Sequence, residues 1–185
     1  MSVIAIALII AKESSKRLEN KNWRDFAGKP MFIWNLLKCI ALFEKTYVSS
    51  DYSFILNEAK KYGAIPIWRP KFLCGDIPSV EVFKHAIKKM NNPDAIISVQ
   101  ANSPTVDLKI IEKVKIMMET GHFQEVETCH ENHSIYGSVW GITKDKLENY
   151  GDPYLRKPDA MIIDSSIDIH NIEDFNKALK EFNGN

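Results

Sequence analysis

The chain has 185 residues, enough to bury a sizeable core in one domain spanning 1–185. Lys plus Arg and Asp plus Glu each number 24, so the formal net charge is zero, which argues against a protein that coats nucleic acid or an anionic membrane and leaves room for a local basic site. An apolar content of 45% with 26% charged residues is that of a soluble globular protein. Residues 3–11 have no basic flank and no small-residue cleavage site, so they are not read as a signal peptide. Cys39, Cys74 and Cys129 are odd in number and widely spaced, which favours free thiols in a reducing cytoplasm.

In chain order, Val3 to Ile10 is an apolar run suited to a buried parallel strand and too short to span a membrane. The stretch AKESSKRLENKN follows, placing Lys12, Lys16, Arg17 and Lys21 among Ser14, Ser15, Asn20 and Asn22. Gly28-Lys29-Pro30 predicts a turn, with Pro30 at the first position of a helix whose apolar stripe is Met31, Ile33, Trp34, Leu37, Ile40 and Ala41. Thr46 to Ser50 predicts a strand, and Asp51 or Ser53 a cap for a helix stopping at Gly63. Strands are expected at Ala64 to Trp68, Ala95 to Val99, Glu125 to Thr128 and Ser138 to Ile142. Helices are expected at Ser79 to Met90, from the Asp107 cap to Thr120, at Thr143 to Asn149, and from Asn171 onward. Met161 to Ile163 and Ile167 to Ile169 read as short extended pieces.

This alternation predicts an α/β fold with a mostly parallel sheet and helices on both faces. Ligands of such sheets bind beyond the carboxyl ends of the strands. The loops Lys12 to Asn22, Ser49 to Asp51, Arg69 to Asp76 and Gln100 to Pro104 are therefore expected to converge, with Asp164 to Asn171 closing the same cleft. No GxGxxG follows the first strand, and no Walker loop, GxSxG elbow or HExxH is present. What remains is a cation-rich turn able to hold phosphates, with Asp168 a candidate ligand for a divalent ion beside it. These parts suit phosphoryl or nucleotidyl transfer, in which positioning and charge stabilisation do most of the catalysis.

AKESSKRLENKN, followed by AGKPMFIWNL, resembles the opening signature of the cytidylyltransferases that activate acidic sugars. These are the CMP-sialic acid synthetases (acylneuraminate cytidylyltransferases) and their relatives acting on 3-deoxy-octulosonate. YVSSD (Tyr47 to Asp51), WRPKFLCGD (Trp68 to Asp76), VQANSP (Val99 to Pro104) and SIDIHN (Ser166 to Asn171) resemble four further family segments in order. The resemblance implies a three-layer Rossmann-like nucleotidyltransferase fold using CTP and Mg²⁺, with Mn²⁺ as the variant ion. The implied reaction is attack of a sugar hydroxyl on the α-phosphorus, releasing pyrophosphate. CTP and an acidic sugar are the partners it implies, with neither nucleic acid nor membrane expected from the composition; a homodimer is left open, because the family's dimerising insertion reads as curtailed here.

By the same resemblance, Lys12, Ser14, Ser15, Lys16 and Lys21 meet the triphosphate, with Lys12 where the family has Arg and Ser14 where it has Gly. Asn22 and Arg69 fall at the nucleoside end, Asp76 and Ser79 at the base pocket, and Gln100 near the reacting centre. Asp168 is the implied metal ligand, and the second aspartate of the family motif is His170 here. His170 is open to three readings: a ligand better matched to Mn²⁺ or Zn²⁺ than to Mg²⁺, the base for the sugar hydroxyl, or packing beside the last helix. Asp164 and Asn102 are candidates for the missing oxygen ligand. The sugar and dimerisation region near 121–140 is shortened, and Tyr136-Gly137-Ser138-Val139-Trp140 stands where sialic acid enzymes have N-G-A-I-Y. Cys129, His130, His133 and His122 invite a zinc reading but lack a clear fourth ligand, so ordinary strand and loop roles are expected. The alternatives to CMP transfer are a nucleotide-binding member without turnover and a nucleotidyltransferase for another acceptor.

Overall fold

A computed structural model describes residues 3–184. The chain runs β1 (Ala5–Ile10), β2 (Asp25–Phe26), β3 (Lys29–Pro30), α1 (Met31–Leu42), β4 (Thr46–Ser50), α2 (Ser53–Lys61), β5 (Ile65–Trp68) and α3 (Ser79–Ile87). It continues through β6 (Ala95–Val99), α4 (Leu108–Glu119), β7 (Glu125–Cys129), β8 (Ile135–Thr143), α5 (Lys144–Glu148), β9 (Ala160–Ile163) and α6 (Ile172–Gly184). β2 and β3 form a small hairpin, and the other strands form one sheet in the order β5-β4-β1-β6-β8-β7-β9. β8 runs against both its neighbours, and the remaining pairings are parallel.

The alternation of side chains along each strand divides the interior into layers. From β1, Ala7 and Ile9 join the cluster covered by α1, α2 and α4, which includes Leu36, Ile55 and Val114. Ile6 and Leu8 point the other way, to Phe83 of α3 and Leu147 of α5. The expected three-layer α/β architecture is therefore present. A third cluster sets Phe175 and Ala178 of α6 against Leu18, Phe26 and Ile169. It ties the last helix to the cation-rich loop. No helix among the described residues is long and apolar enough to cross a membrane.

The local helix and turn signals are realised in part. Gly63, at φ 92°, ends α2 as expected, and the Asp107 carboxylate caps α4 through the Lys109 N–H. Neither Asp51 nor Ser53 caps α2: its N-cap is Tyr52, without a side-chain bond. The Asp51 carboxylate instead accepts from the Glu13 N–H at 2.9 Å, because the first loop lies directly beside it. Pro30 precedes α1 as its N-cap rather than opening it, since it pairs in the β2–β3 hairpin turned by Ala27 and Gly28. Ile167 to Ile169 makes no strand ladder. Its backbone bonds run to Thr105 and Asn102 instead.

The far half of the sheet buries two carboxylates, Glu125 and Glu127 on β7. Glu125 Oε1 accepts from Trp140 Nε1 and the Tyr150 hydroxyl, and Glu127 Oε2 from Arg156 at 2.7 Å. Their other oxygens have no partner outside the pair, and burial pushes the Glu127 carboxyl up to about 8 against the pull of Arg156. The folded chain thus keeps a proton that an unfolded glutamate releases at about 4.5. Stability is therefore expected to fall as pH rises from about 4.5 to about 8. Denaturation midpoints measured across that range should decline in the wild type, and the decline should flatten in Glu127→Gln.

Candidate active site

The loop between β1 and β2 is held in shape by its surroundings before any ligand is considered. Ala11 N–H donates to the Ser49 carbonyl at 3.0 Å, and the buried Asn22 amide donates to the Lys12 carbonyl at 2.8 Å. Trp23 Nε1 donates to the Glu13 carbonyl, and the Asp51 carboxylate receives the Glu13 N–H. Ser14 is exposed and is not among the residues with positive φ, so serine in place of glycine carries no left-handed strain there. It also lies outside the cleft lining.

Between this loop and residues 69–82 opens a cleft of about 640 Å³. Ser15, Asn22, Ser79, Gln100 and Asn102 line it with five cationic side chains, Lys12, Lys16, Arg17, Lys21 and Arg69, against one carboxylate, Asp76. Ser49 to Asp51 does not line the cleft, contrary to expectation. Asp51 supports it from behind, 3.9 Å from Arg69 Nη2. Arg69 is 3% exposed, and its Nε and Nη2 have no hydrogen-bond partner. A buried guanidinium with idle donors is costly. Lys16 reaches across the mouth to Asp76 at 2.7 Å, and its ammonium holds the Asp76 carboxyl below the usual range. Burial lowers the Lys21 pKa, with Asp168 opposing, and Nζ donates to the Ile169 carbonyl at 2.9 Å.

Asp168 and His170 do not line this cleft. They line an adjoining cavity of about 170 Å³ with Gln100, Asn102, Ser103 and Tyr136. Gln100 and Asn102 are common to both spaces. Asp168 accepts from the Asn102 amide at one oxygen and contacts His170 Nε2 at 2.7 Å with the other. Arg17 Nη2 lies 2.6 Å from His170 Nδ1. A guanidinium only donates, so Nδ1 is the acceptor and Nε2 carries the hydrogen directed at Asp168. The His170 backbone N–H meanwhile donates to Asp174, which with Asn171 forms a reciprocal cap on α6. His170 thus lies beside the last helix through its backbone while its ring borders the adjoining cavity.

Asp164 is not a free oxygen ligand. Its carboxylate accepts from Tyr136, Ser138 and Ser166 hydroxyls and the Ser166 N–H. Burial pushes its pKa up, and these hydrogen bonds outweigh that and leave it lowered. Asn102 is the candidate that stands beside Asp168. No group of three or more His, Cys, Asp or Glu side chains among the described residues is arranged to hold a metal. The zinc reading therefore finds no site: Cys129 is buried in β7 and His130 stacks on Tyr136 at 4.0 Å. Residues 130–134 are only a short turn between β7 and β8. Arg17 and Tyr136 border these spaces although neither was assigned a role of its own in the sequence. Arg17 belonged to the visible cation cluster, but nothing in the sequence announced that Tyr136 and Asp164 meet.

The sheet order and the cleft at its carboxyl edge define a Rossmann-like nucleotidyltransferase fold. Residues 6–141 match the profile of the family described as Cytidylyltransferase, and the chain belongs to that family. It is 39% identical over 98 residues to the Helicobacter pylori "Pseudaminic acid cytidylyltransferase and UDP-2,4-diacetamido-2,4,6-trideoxy-beta-L-altropyranose hydrolase", covering 51% of this chain and 19% of that protein. It is 32% identical over 123 residues to the Escherichia coli N-acylneuraminate cytidylyltransferase, covering 64% of this chain and 29% of that one. The chain thus spans less than a third of the length of either relative. A solved CMP:2-keto-3-deoxy-manno-octonic acid synthetase complexed with CTP superposes with a TM-score of 0.78 at 13% identity, covering 97% of this chain and 98% of the other.

The hydroxyl ring around Asp164 generates a prediction. Asp164→Asn replaces an acceptor with a donor facing other donors and should cost about 1–3 kcal/mol in chemical denaturation. Because the wild-type carboxyl is held low, its contribution is lost as pH falls below the ordinary value of 3.8, and the variant should lack that acid-limb component.

Proposed function

We propose that this chain transfers CMP from CTP to an acidic sugar, of the sialic-acid-like or another 2-keto-3-deoxy class, releasing pyrophosphate. The observation that carries this reading is the cleft's charge. Five cations face one carboxylate on a chain with zero formal net charge, and the buried Arg69 keeps two nitrogens idle. A triphosphate supplies the missing anion, and a pyrimidine carbonyl is a fitting acceptor for guanidinium nitrogens. In this reading Lys12, Ser15, Lys16 and Lys21 hold the phosphates, with Lys16 exchanging Asp76 for a phosphate oxygen. Ser14, exposed at the loop tip, contributes at most through its backbone. Arg69 and Asn22 meet the nucleoside, and Asp76 and Ser79 border the base.

The acceptor enters beside Gln100, Asp168 and His170. Its hydroxyl oxygen bonds to the α-phosphorus as the bond from that phosphorus to the bridging oxygen breaks. Pyrophosphate leaves with the bond electrons, and the hydroxyl proton passes to a base, a role proposed for His170 once Arg17 turns to phosphate. Asp168 with the Asn102 amide fits Mg²⁺, or Mn²⁺, held otherwise by phosphate oxygens and water. Such an ion would offset negative charge developing on the phosphates. The sugar and dimerisation region near 121–140 is proposed to be reduced to the β7–β8 hairpin, with a homodimer open to test. Three free cysteines support a cytoplasmic setting.

Binding without turnover is the second reading, since only one carboxylate stands at the metal position. Asn102 donates its amide N–H to Asp168 and would offer an ion its oxygen only with the amide turned over, so the two readings are separated by experiment. Pyrophosphate release should require CTP, a divalent ion and an acidic sugar together, and should fail with the other three nucleoside triphosphates. Calorimetric CTP binding with no pyrophosphate across a broad acceptor panel would instead establish the second reading. Asp168→Ala should abolish turnover in a folded protein, and unimpaired activity would remove Asp168 from the metal role. Arg69→Met should lower CTP affinity at least tenfold while moving Tm by no more than about 4 °C, roughly 1 kcal/mol for a chain of this size.

A further inference from the structure

The polar contacts beneath the Gln100 loop have no part in the ligand contacts above. α1 is apolar on its buried side except at Asn35, which is fully buried. One helical turn on, Lys38 lies on the same face. Asn35 Nδ2 donates to the carbonyls of Gln100 and Ser103, both at 2.8 Å. Lys38 Nζ donates to Asn35 Oδ1 at 3.0 Å, to the Pro104 carbonyl at 2.7 Å and to the Val106 carbonyl at 2.8 Å. All three ammonium hydrogens and both amide hydrogens are thereby committed, mostly to the backbone of one loop. A loop of this kind, without strand pairing of its own, has few other ways to fix its carbonyls.

The same loop carries the contacts that hold the Asp168 segment. The Asn102 carbonyl accepts from the Ile169 N–H at 2.9 Å, and Thr105 Oγ1 accepts from the Ile167 N–H at 3.0 Å. The Asn102 amide then meets the Asp168 carboxylate. Asp168 is thus bracketed on both sides by backbone bonds to a loop that is itself pinned by α1.

We infer that Asn35 and Lys38 are positioning residues, a clamp on the first helix that sets the Gln100 loop and, through it, the place of Asp168 relative to the nucleotide cleft. Neither residue touches the cleft or the adjoining cavity. The loop that binds the triphosphate is braced chiefly by Ser49, Asp51 and its own backbone, and it meets the clamped segment through Lys21 on the Ile169 carbonyl and Arg17 on His170. The consequence is a split between chemistry and binding. Loosening the clamp displaces Gln100 and Asp168 directly and reaches the cation cluster only at Lys21 and Arg17, leaving Lys12, Lys16 and Arg69 on their own supports. Displacements of this size at a reacting centre cost about 10- to 100-fold in rate.

The kinetic arm of the test rests on the CMP-transfer reading, and a second arm does not. Asn35→Asp keeps the shape and the contact to Lys38 but turns two donated bonds into oxygen facing oxygen. Lys38→Met keeps most of the stem and removes the three donors. Both should lower kcat about 10- to 100-fold, with a much smaller rise, at most about threefold, in the Kd for CTP. Ile33→Val, a core change on the same helix, should leave kcat near wild type. By hydrogen exchange, the Ile167 and Ile169 amides should lose protection in the two clamp variants and keep it in Ile33→Val. Parallel loss of kcat and CTP affinity, or an equal kcat loss in Ile33→Val, would reduce the clamp to general stability and overturn the inference. A wild-type chain without turnover on any acceptor would overturn the CMP-transfer reading alone. Unchanged protection of Ile167 and Ile169 in both clamp variants would then overturn the clamp by itself.

Discussion

Positive charges gathered into one cleft repel one another, and the repulsion grows as water is withdrawn from between them. The first loop of this protein is built around that constraint. It is anchored by neutral backbone bonds at Ala11, Asn22 and Trp23 and by a single carboxylate, Asp51, which stands behind it rather than inside the cleft. The cations are therefore held without being neutralised. Lys16 spends its charge on an exposed aspartate that a phosphate can replace, and Arg69 spends little of its own. A cleft in this condition is less stable empty than filled by an anion.

The sheet divides the remaining work. β1, β4 and β5 run parallel and deliver the first loop, Asp51 and Arg69 to one edge. β8 reverses direction beside β6, so it brings Tyr136 and Ser138 to the same end from the opposite sense. Gln100, at the end of β6, sits where the two arrangements meet, and its backbone N–H donates to the Ser138 carbonyl at 2.8 Å. That is why Gln100 and Asn102 border both spaces. The strand that ends the parallel half is the strand from which the second cavity starts.

What could be read from the sequence follows from how local each signal is. Runs such as Ala95 to Val99 and the spacing in α1 and α4 are carried by neighbouring residues, and they appear close to the expected bounds. The cation cluster is likewise contiguous, so its place in the cleft was legible. Capping was less so, because Asp51 chose between a helix end and a loop that arrives from another part of the chain. The adjoining cavity depends on meetings across long separations: Tyr136 with Asp164, Asn102 with Asp168, Arg17 with His170. Asn102 could be placed near Asp168 because their loops were expected to converge, whereas the other two pairs leave no spacing to detect. Asn35 and Lys38 are the subtlest case, since a polar pair on a helix looks like an exposed face until the loop it holds is known.

The segment from Asp164 to Asp174 shows how environment assigns different work to one residue type. Asp164 is surrounded by hydroxyls that satisfy it, and it serves as a joint between β8 and the loop. Asp174 caps the last helix and fixes the backbone of His170 and Asn171. Asp168, between them, has an amide and an imidazole as neighbours, and both belong to side chains that border the adjoining cavity. The two carboxylates that fix the backbone of this segment are therefore distinct from the one whose contacts are made wholly with side chains at the cavity wall.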